Sequence, residues 1–295
     1  MYKIISPATS ANMGAGFDCL GICLSESNIF VFDEWEDAIV LNGHADTLRN
    51  RDNLAVRAYF EALQIIGAKI PSGVKIDIKT VVPLARGLGS SSTCISAAVA
   101  AAFMLDGKNP SKEDIFEISA IIEGHPDNVG PCIFGGCTLS YVNEGKNKCV
   151  KFKVDEKYKF VALIPDFQLS TQKSREVLPD KYSREDAVFN MSRLAITMNA
   201  LQSGNSELLR EGLEDRLHQP YRKQLIDDFD DILCYANDVG VVGTYLSGAG
   251  PTIMSIIDDD SIFRKINATF QERFPHWKAE LLEVNYEGLE CFKMK

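Results

Sequence analysis

Pro83-Leu84-Ala85-Arg86-Gly87-Leu88-Gly89-Ser90-Ser91-Ser92-Thr93 leads into an apolar run at 97–105, and the rest of the chain is read outward from it. Upstream, Val74-Lys75-Ile76-Asp77-Ile78-Lys79 alternates with period two and predicts a strand. Downstream, the alanine-rich run without glycine or proline predicts a buried helix. Two glycines and three serines therefore fall where a strand ends and a helix begins. Such a junction is a prepared anion site. The first helical turn leaves N–H groups without intrahelical acceptors, the helix dipole favours negative charge, and glycine lets the backbone approach a phosphate closely. Small hydroxyls add hydrogen bonds or reach a Mg²⁺ carried by the phosphates. A serine-capped helix after a glycine turn is the plainer reading; the density of glycine and serine favours phosphate binding.

The chain of 295 residues is long enough for two domains and, at 45% hydrophobic and 24% charged, has a globular composition. A formal net charge of −10 argues against a broad nucleic-acid surface, so an anionic ligand has to be held by local donors. The eight cysteines show no paired C-x-x-C spacing and no partnering histidines, which disfavours a disulfide framework or zinc site and points to a reducing cytoplasm. The first seven residues lack the apolar region of a signal peptide. The longest apolar run, at 95–105, falls short of the roughly 20 residues that span a bilayer. The expectation is a soluble cytoplasmic protein with no membrane or nucleic-acid partner.

Residues 3–5 predict a short strand ending in a loop of small residues, Ser6 to Asp18. Gly14 and Gly16 begin a G-x-G, but Cys19 stands where a dinucleotide fingerprint needs its third glycine. Asn12 and Asp18 are the chemically interesting members of this loop, with local Asx-turn bonding as the alternative. Strands are expected at 28–32 and 38–41, joined by an acidic turn, and Asp52-Asn53 caps a helix at 54–66. Ser111-Lys112-Glu113-Asp114 starts the next helix with a cap and an acidic first turn, and that helix ends at Glu123-Gly124. Glu123-Gly124-His125-Pro126-Asp127-Asn128-Val129-Gly130-Pro131 gathers a histidine, two acids and an amide, and reads equally as a turn or a site. A hairpin at 137–142 and 149–154 follows, with a solvated lysine-rich face at 146–159.

A second unit begins near 155, giving domains at 1–155 and 156–295. Its expected elements are a strand at 159–164, a polar loop, helices at 184–201, 207–212 and 224–237, and a strand at 241–246. The loop Ser247-Gly248-Ala249-Gly250-Pro251 leads to a strand at 252–257, a helix near 262–274 and a C-terminal strand pair at 279–284 and 289–292. Strands alternating with helices and hairpins argue α+β for both units. There is no Walker A motif, because neither Gly107-Lys108 nor Gly145-Lys146 is followed by Ser or Thr. Neither a G-x-S-x-G elbow, an H-E-x-x-H pair nor a protein-kinase catalytic loop is present.

Three stretches together resemble the GHMP small-molecule kinases: Pro7-Ala8-Thr9-Ser10-Ala11-Asn12 with Gly14-Ala15-Gly16-Phe17-Asp18; Pro83 to Thr93; and Leu246 to Thr252. The Asn-x-Gly-x-Gly-Phe-Asp opening and the His-Pro-Asp-Asn-Val cluster resemble the homoserine kinase branch, over the whole chain. Ala15 departs from the proline more often found there, and the spacing Glu123-Gly124-His125 is shorter than in many relatives. The resemblance implies a two-lobed α+β fold, with an N-terminal ATP-binding lobe and a C-terminal ferredoxin-like lobe. It implies transfer of the ATP γ-phosphate to L-homoserine on the route to threonine, and a homodimer. Pro83 to Thr93 would bind ATP with Asn53 near the nucleoside, and Ser91 and Glu123 would hold Mg²⁺. Asn128 would orient the attacking hydroxyl, with Asp127 beside it as an alternative base. Arg175 and Arg222 would take the substrate carboxylate, a task suited to the arginine fork. Asn12 and Asp18 would hold the amino end and hydroxyl side, and His125, Thr171 and Gly248 would line the pocket. The alternatives are a sister kinase acting on mevalonate, a sugar or shikimate, and a catalytically inactive ligand-binding relative.

Overall fold

The computed structural model describes residues 1–35, 38–43 and 52–294. Strands β1 (Tyr2–Asn12) and β2 (Gly16–Trp35) form one long antiparallel hairpin, paired from Tyr2 opposite Phe32 to Asn12 opposite Gly16 with register shifts between Pro7 and Thr9 and between Ala11 and Asn12. The C-terminal half of β2 pairs with β4 (Gly73–Lys79), and its N-terminal half with β5 (Cys137–Asn143). Strand β3 (Ile39–Gly43) runs parallel to β4, β6 (Lys146–Phe152) pairs with β5, and β11 (Glu290–Lys293) pairs with the free edge of β1. These make a seven-stranded sheet among the described residues.

Helices α1 (Leu54–Ile65), α2 (Ser90–Leu105) and α3 (Lys112–Glu123) share a core with this sheet. The core holds Ile4, Phe30, Phe32, Val74 and Ile76 from the strands against Val56, Tyr59, Ala97 to Ala102, Ile115 and Phe116. Helix α2 is apolar along almost its whole circumference, as a helix enclosed on all sides must be. Its alanines let α1 and α3 approach closely.

The second sheet has the order β10 (Trp277–Leu282), β7 (Lys159–Pro165), β9 (Ile253–Ile257), β8 (Gly243–Leu246), all antiparallel. Numbered within this half, that is 4-1-3-2 with helical crossovers after the first and third strands, the ferredoxin-like arrangement. One face packs on α9 (Phe229–Val239) and α10 (Asp260–Arg273) through Val161, Leu163, Ile232, Ile266 and Phe270. The other face carries Phe160, Ala162, Ile164, Tyr245 and Met254. These share a core with Ala8, Leu20, Ile22, Val82 and Leu88 of the first half, and with α6 (Arg184–Ser203) and α7 (Ser206–Gly212). This middle core draws on both sides of residue 155.

Several expectations are corrected. Most of the stretch expected to be a loop from Ser6 to Asp18 is strand: β1 continues to Asn12 and β2 starts at Gly16, leaving 13–15 as the turn. The small residues read as turn-forming are instead there for close packing, and Ser6, Ala8, Thr9, Ser10 and Ala11 are all at 0% exposure. The strand expected at 28–32 is only part of the 20-residue β2. The acidic turn expected before 38 lies partly outside the described residues. Part of the expected polar loop after β7 forms α5 (Thr171–Glu176), capped by the Ser170 hydroxyl. The helix expected at 224–237 starts only at Phe229, because Asp228 is left-handed (φ 61°) and Ile226 is extended. A separate turn, α8 (Gln219–Arg222), precedes it. The two C-terminal strands do not pair with each other: β10 joins β7, and β11 crosses back to β1.

The His-Pro-Asp-Asn segment enters a short helix, α4 (Val129–Phe134), laid over β2 at Gly21. A Cβ on Gly21 would stand 2.0 Å from the Asp127 carbonyl oxygen and 2.9 Å from the Pro131 ring. Gly21→Ala is therefore expected to lower stability by about 1–3 kcal/mol in urea unfolding, as overpacking does. An unchanged midpoint would show that this contact yields freely.

Candidate active site

A cavity of about 810 Å³ opens between the two sheets' loops. One wall is the segment from Pro83 to Ser92 with the N-terminus of α2; the other is formed by Arg175 on α5, Arg222 on α8 and the Gly248–Gly250 loop. Asn53, Leu54 and Ile78 line its far end.

The glycine–serine segment turns into α2 as its composition predicts. Gly87 and Gly89 are left-handed (φ 77° and 68°), and a Cβ on Gly89 would fall 1.9 Å from Thr9 Oγ1. Gly89 is the N-cap of α2 and offers no side-chain acceptor to the first-turn N–H groups, which stay available to a ligand. Ser91 Oγ donates to Glu123 Oε2 at 2.7 Å and Ser92 Oγ to Glu123 Oε1 at 3.3 Å. Burial pushes the Glu123 carboxyl above its ordinary value, opposed by these hydroxyls and by His125. The donor set is all oxygen and carries one carboxylate, which suits a hard divalent cation such as Mg²⁺.

Three residues of the predicted loop have side chains engaged within the protein. Arg86 Nε and Nη2 donate to the carbonyls of Pro165 and Asp166 at 2.8 and 2.5 Å, clipping the loop to the end of β7. Leu88 is buried beneath the loop. Thr93 is also buried, its Oγ1 donating to Ser90 O and accepting from Asn28 Nδ2.

On the opposite wall, Asp18 and Arg175 meet as a bidentate pair at 2.9 and 3.1 Å. Asn12 Oδ1 accepts the Asp18 N–H at 3.0 Å and its Nδ2 donates to Gly248 O at 2.9 Å, so Asn12 places both neighbours. Arg222 is 2% exposed, donates to Ser174 O (3.1 Å) and Gly248 O (3.0 Å), and has no carboxylate partner among the described residues. Burial and the facing Arg175 lower its affinity for a proton, yet a guanidinium stays charged in proteins. Its position favours an incoming anion.

Asn128 and His125 enter from the α3–α4 connection. Thr9 Oγ1 donates to Asn128 Oδ1 at 2.8 Å, which leaves the amide nitrogen for the cavity. Asp127 is buried; its Oδ1 accepts the Asn128 N–H at 3.0 Å and lies 3.4 Å from His125 Nδ1. That carboxylate raises the His125 pKa against the opposing effect of burial. Thr171, at the start of α5, and Gly248 also line the cavity. The sequence reading missed Thr80 to Val82, Cys94, Gln168 and Leu169 as lining residues. Cys94 directly follows the predicted loop near the start of α2, whereas Gln168 and Leu169 sit in a segment with no motif of its own.

Comparison with known proteins gives concordant results. A model of the GHMP kinases N terminal domain matches residues 53–136, and one of the GHMP kinases C terminal domain matches 197–275. A homoserine kinase of Caldicellulosiruptor bescii is 38% identical over 302 residues, covering 100% of this chain and 98% of that protein. One from Clostridium beijerinckii is 42% identical, covering 98% and 93%. The crystal structure of homoserine kinase from Cytophaga hutchinsonii superposes with a TM-score of 0.86 at 25% identity, over 98% of this chain and 96% of that one. The mevalonate kinase of L. major, at 15% identity and a TM-score of 0.70 over 96% of each chain, shares the fold.

Gly89→Ala would force a methyl onto Thr9 at the mouth of α2. ATP binding in titration calorimetry is expected to weaken by about tenfold or more, the scale on which lost backbone–phosphate contacts register. Undiminished affinity would remove the loop as the phosphate site.

Proposed function

Because this chain belongs to the homoserine kinase family of the GHMP kinases, we propose that it transfers the ATP γ-phosphate to the side-chain hydroxyl of L-homoserine, giving O-phospho-L-homoserine. The observation that carries the acceptor is the pairing of an unneutralised, buried Arg222 with an exposed Asp18–Arg175 pair across one cavity. An α-amino acid brings one carboxylate and one ammonium. The carboxylate answers Arg222 and Arg175, and the ammonium answers Asp18. With both side chains more than a third exposed, the Asp18–Arg175 pair contributes only about 0–1 kcal/mol, so a zwitterion displaces it at little cost. An uncharged sugar would leave Arg222 without an anion.

In this reading the free N–H groups of α2 and the glycine backbone hold the ATP phosphates, and Asn53 lies beside the nucleoside. Ser91 and Glu123 would hold Mg²⁺, which when bound neutralises charge on the β- and γ-phosphates. Asn128, its oxygen engaged by Thr9, offers N–H to the acceptor oxygen and orients it. An amide is a poor base, and phosphoryl transfer is dominated by positioning and electrostatics. Asp127, held against the Asn128 N–H and His125, sets the geometry of that loop. A division near 155 belongs to the same proposal, with the phosphate loop in 1–155 and both arginines in 156–295; β11 pairs with β1 of the first lobe. A homodimer, supported by the family resemblance alone, belongs to the same proposal and is read by sedimentation.

ADP release with Mg-ATP and L-homoserine, mevalonate, galactose or shikimate tests the acceptor directly. Turnover is expected with homoserine; turnover only with another acceptor would discard the pocket as drawn, and bound ATP without turnover would favour a binding relative. Asn128→Ala should lower kcat by about 100-fold or more while the ATP KM changes by less than about threefold. Arg222→Ala should raise the homoserine KM by at least about tenfold. Glu123→Gln should raise the Mg²⁺ concentration needed for half-maximal rate, and an unmoved Mg²⁺ requirement would remove Glu123 from the metal site.

A further inference from the structure

Arg222 is held from behind by a second buried ionisable side chain, His218, the N-cap residue of α8. His218 Nε2 lies 2.9 Å from Gly14 O in the β1–β2 turn. A carbonyl oxygen only accepts, so the proton sits on Nε2 and the lone pair on Nδ1. That Nδ1 faces Arg222 Nη1 at 3.4 Å. Phe17 of β2 stacks on the ring at 5.2 Å with an 18° interplanar angle, and the Arg222 guanidinium lies 5.2 Å from the same Phe17 ring. Asp215, its side chain at 0% exposure, fixes the turn below. Its Oδ2 accepts the N–H groups of His218 and Gln219 at 2.9 and 2.7 Å, and its Oδ1 accepts those of Leu217 and Asn190 Nδ2 at 2.9 and 2.7 Å.

We propose that His218, as the neutral Nε2–H imidazole seated on Asp215, is a positioning residue that holds the Arg222 guanidinium at the acceptor end of the cavity. The inference rests on the reading that Arg222 binds the homoserine carboxylate. His218 gives Arg222 an acceptor without giving it a counter-ion. A carboxylate in the same place would neutralise the guanidinium and compete with the substrate; an imidazole orients it and leaves its charge for the ligand. Through Gly14 the same ring ties Arg222 to the hairpin turn that carries Asp18, so the two ends of the zwitterion are registered to one another.

Protonation would undo this. An Nδ1–H would point a donor at a donor and set two cations side by side. The charged groups facing the ring are Asp215 below, Asp18 from β2 and Arg222 itself, with Arg175 from α5 facing Arg222 in turn. Burial, helped by Arg222, holds the imidazole below its ordinary value of about 6.5, against the pull of Asp215, Gly14 O and Asp18. It is therefore neutral at physiological pH, and acidification is the direction that disturbs the site.

The test is steady-state kinetics at saturating Mg-ATP between about pH 5.5 and 8.5 for the wild type, His218→Asn and His218→Gln. In the wild type the homoserine KM is expected to rise on the acid side while the ATP KM does not follow it. His218→Gln keeps a donor for Gly14 O but loses the Nδ1 acceptor, and should raise the homoserine KM about tenfold with kcat and ATP KM within about twofold. His218→Asn places an oxygen where Nδ1 stood, and should hold the homoserine KM within about threefold while abolishing the acid rise. An acid rise that survives in His218→Asn, or equal increases in both KM values in His218→Gln, would overturn the proposal. Arg222→Ala separates the two readings: an unchanged homoserine KM there discards the carboxylate assignment and this inference with it, whereas a raised KM beside an unaffected His218→Gln discards this inference only.

Discussion

Thr9 makes two bonds that set the spacing of the whole site. Its backbone N–H donates to Leu88 O beneath the phosphate loop, and its hydroxyl donates to Asn128 Oδ1 on the acceptor side. One residue of a buried strand therefore fixes the distance between the Pro83–Thr93 segment and the Asn128 side chain. The contact is close: Gly89 can have no side chain because Thr9 Oγ1 occupies the space. A threonine at 0% exposure has little freedom to relax, so the two loops keep their separation.

The remainder of β1 and β2 extends the same device. Ala11 O accepts the Gly248 N–H, Asn12 fixes Asp18 and Gly248, and Gly14 O meets His218. Groups from the second half of the chain are thus referenced to one hairpin of the first. Arg86 and the Ser247 hydroxyl, which donates to Gly87 O at 2.5 Å, fasten the phosphate loop in the other direction. A chain with net charge −10 still sets Arg86, Arg175 and Arg222 around one cavity, and of these the buried Arg222 has no carboxylate partner among the described residues.

Features governed by near neighbours were legible without coordinates. The Asn53 cap of α1, the Ser111–Asp114 capping box of α3 and the glycine–serine opening of α2 each depend on residues within one helical turn. Features governed by packing were not. Ser6 to Ala11 carry the composition of a loop, yet become the most enclosed strand of the sheet because helices and the second sheet leave room only for small side chains there. Strand β11 pairs across nearly the whole chain length, and no local pattern distinguishes that partner from its neighbour β10.

The sequence by itself determined the phosphate loop, the α+β alternation, the residues of both polar clusters and, through three motifs in order, the family. These are local or nearly local properties, written in glycine conformations, caps and hydrophobic periods. Only the tertiary structure decided which charges neutralise one another. Asp18 and Arg175 stand 157 positions apart in the chain and close a bidentate pair, while Arg222 is left without a carboxylate among the described residues and Arg86 spends its donors on the backbone at the end of β7. Electrostatic partnership depends on distance and burial, and both are set by how two sheets pack, which no single stretch of residues contains.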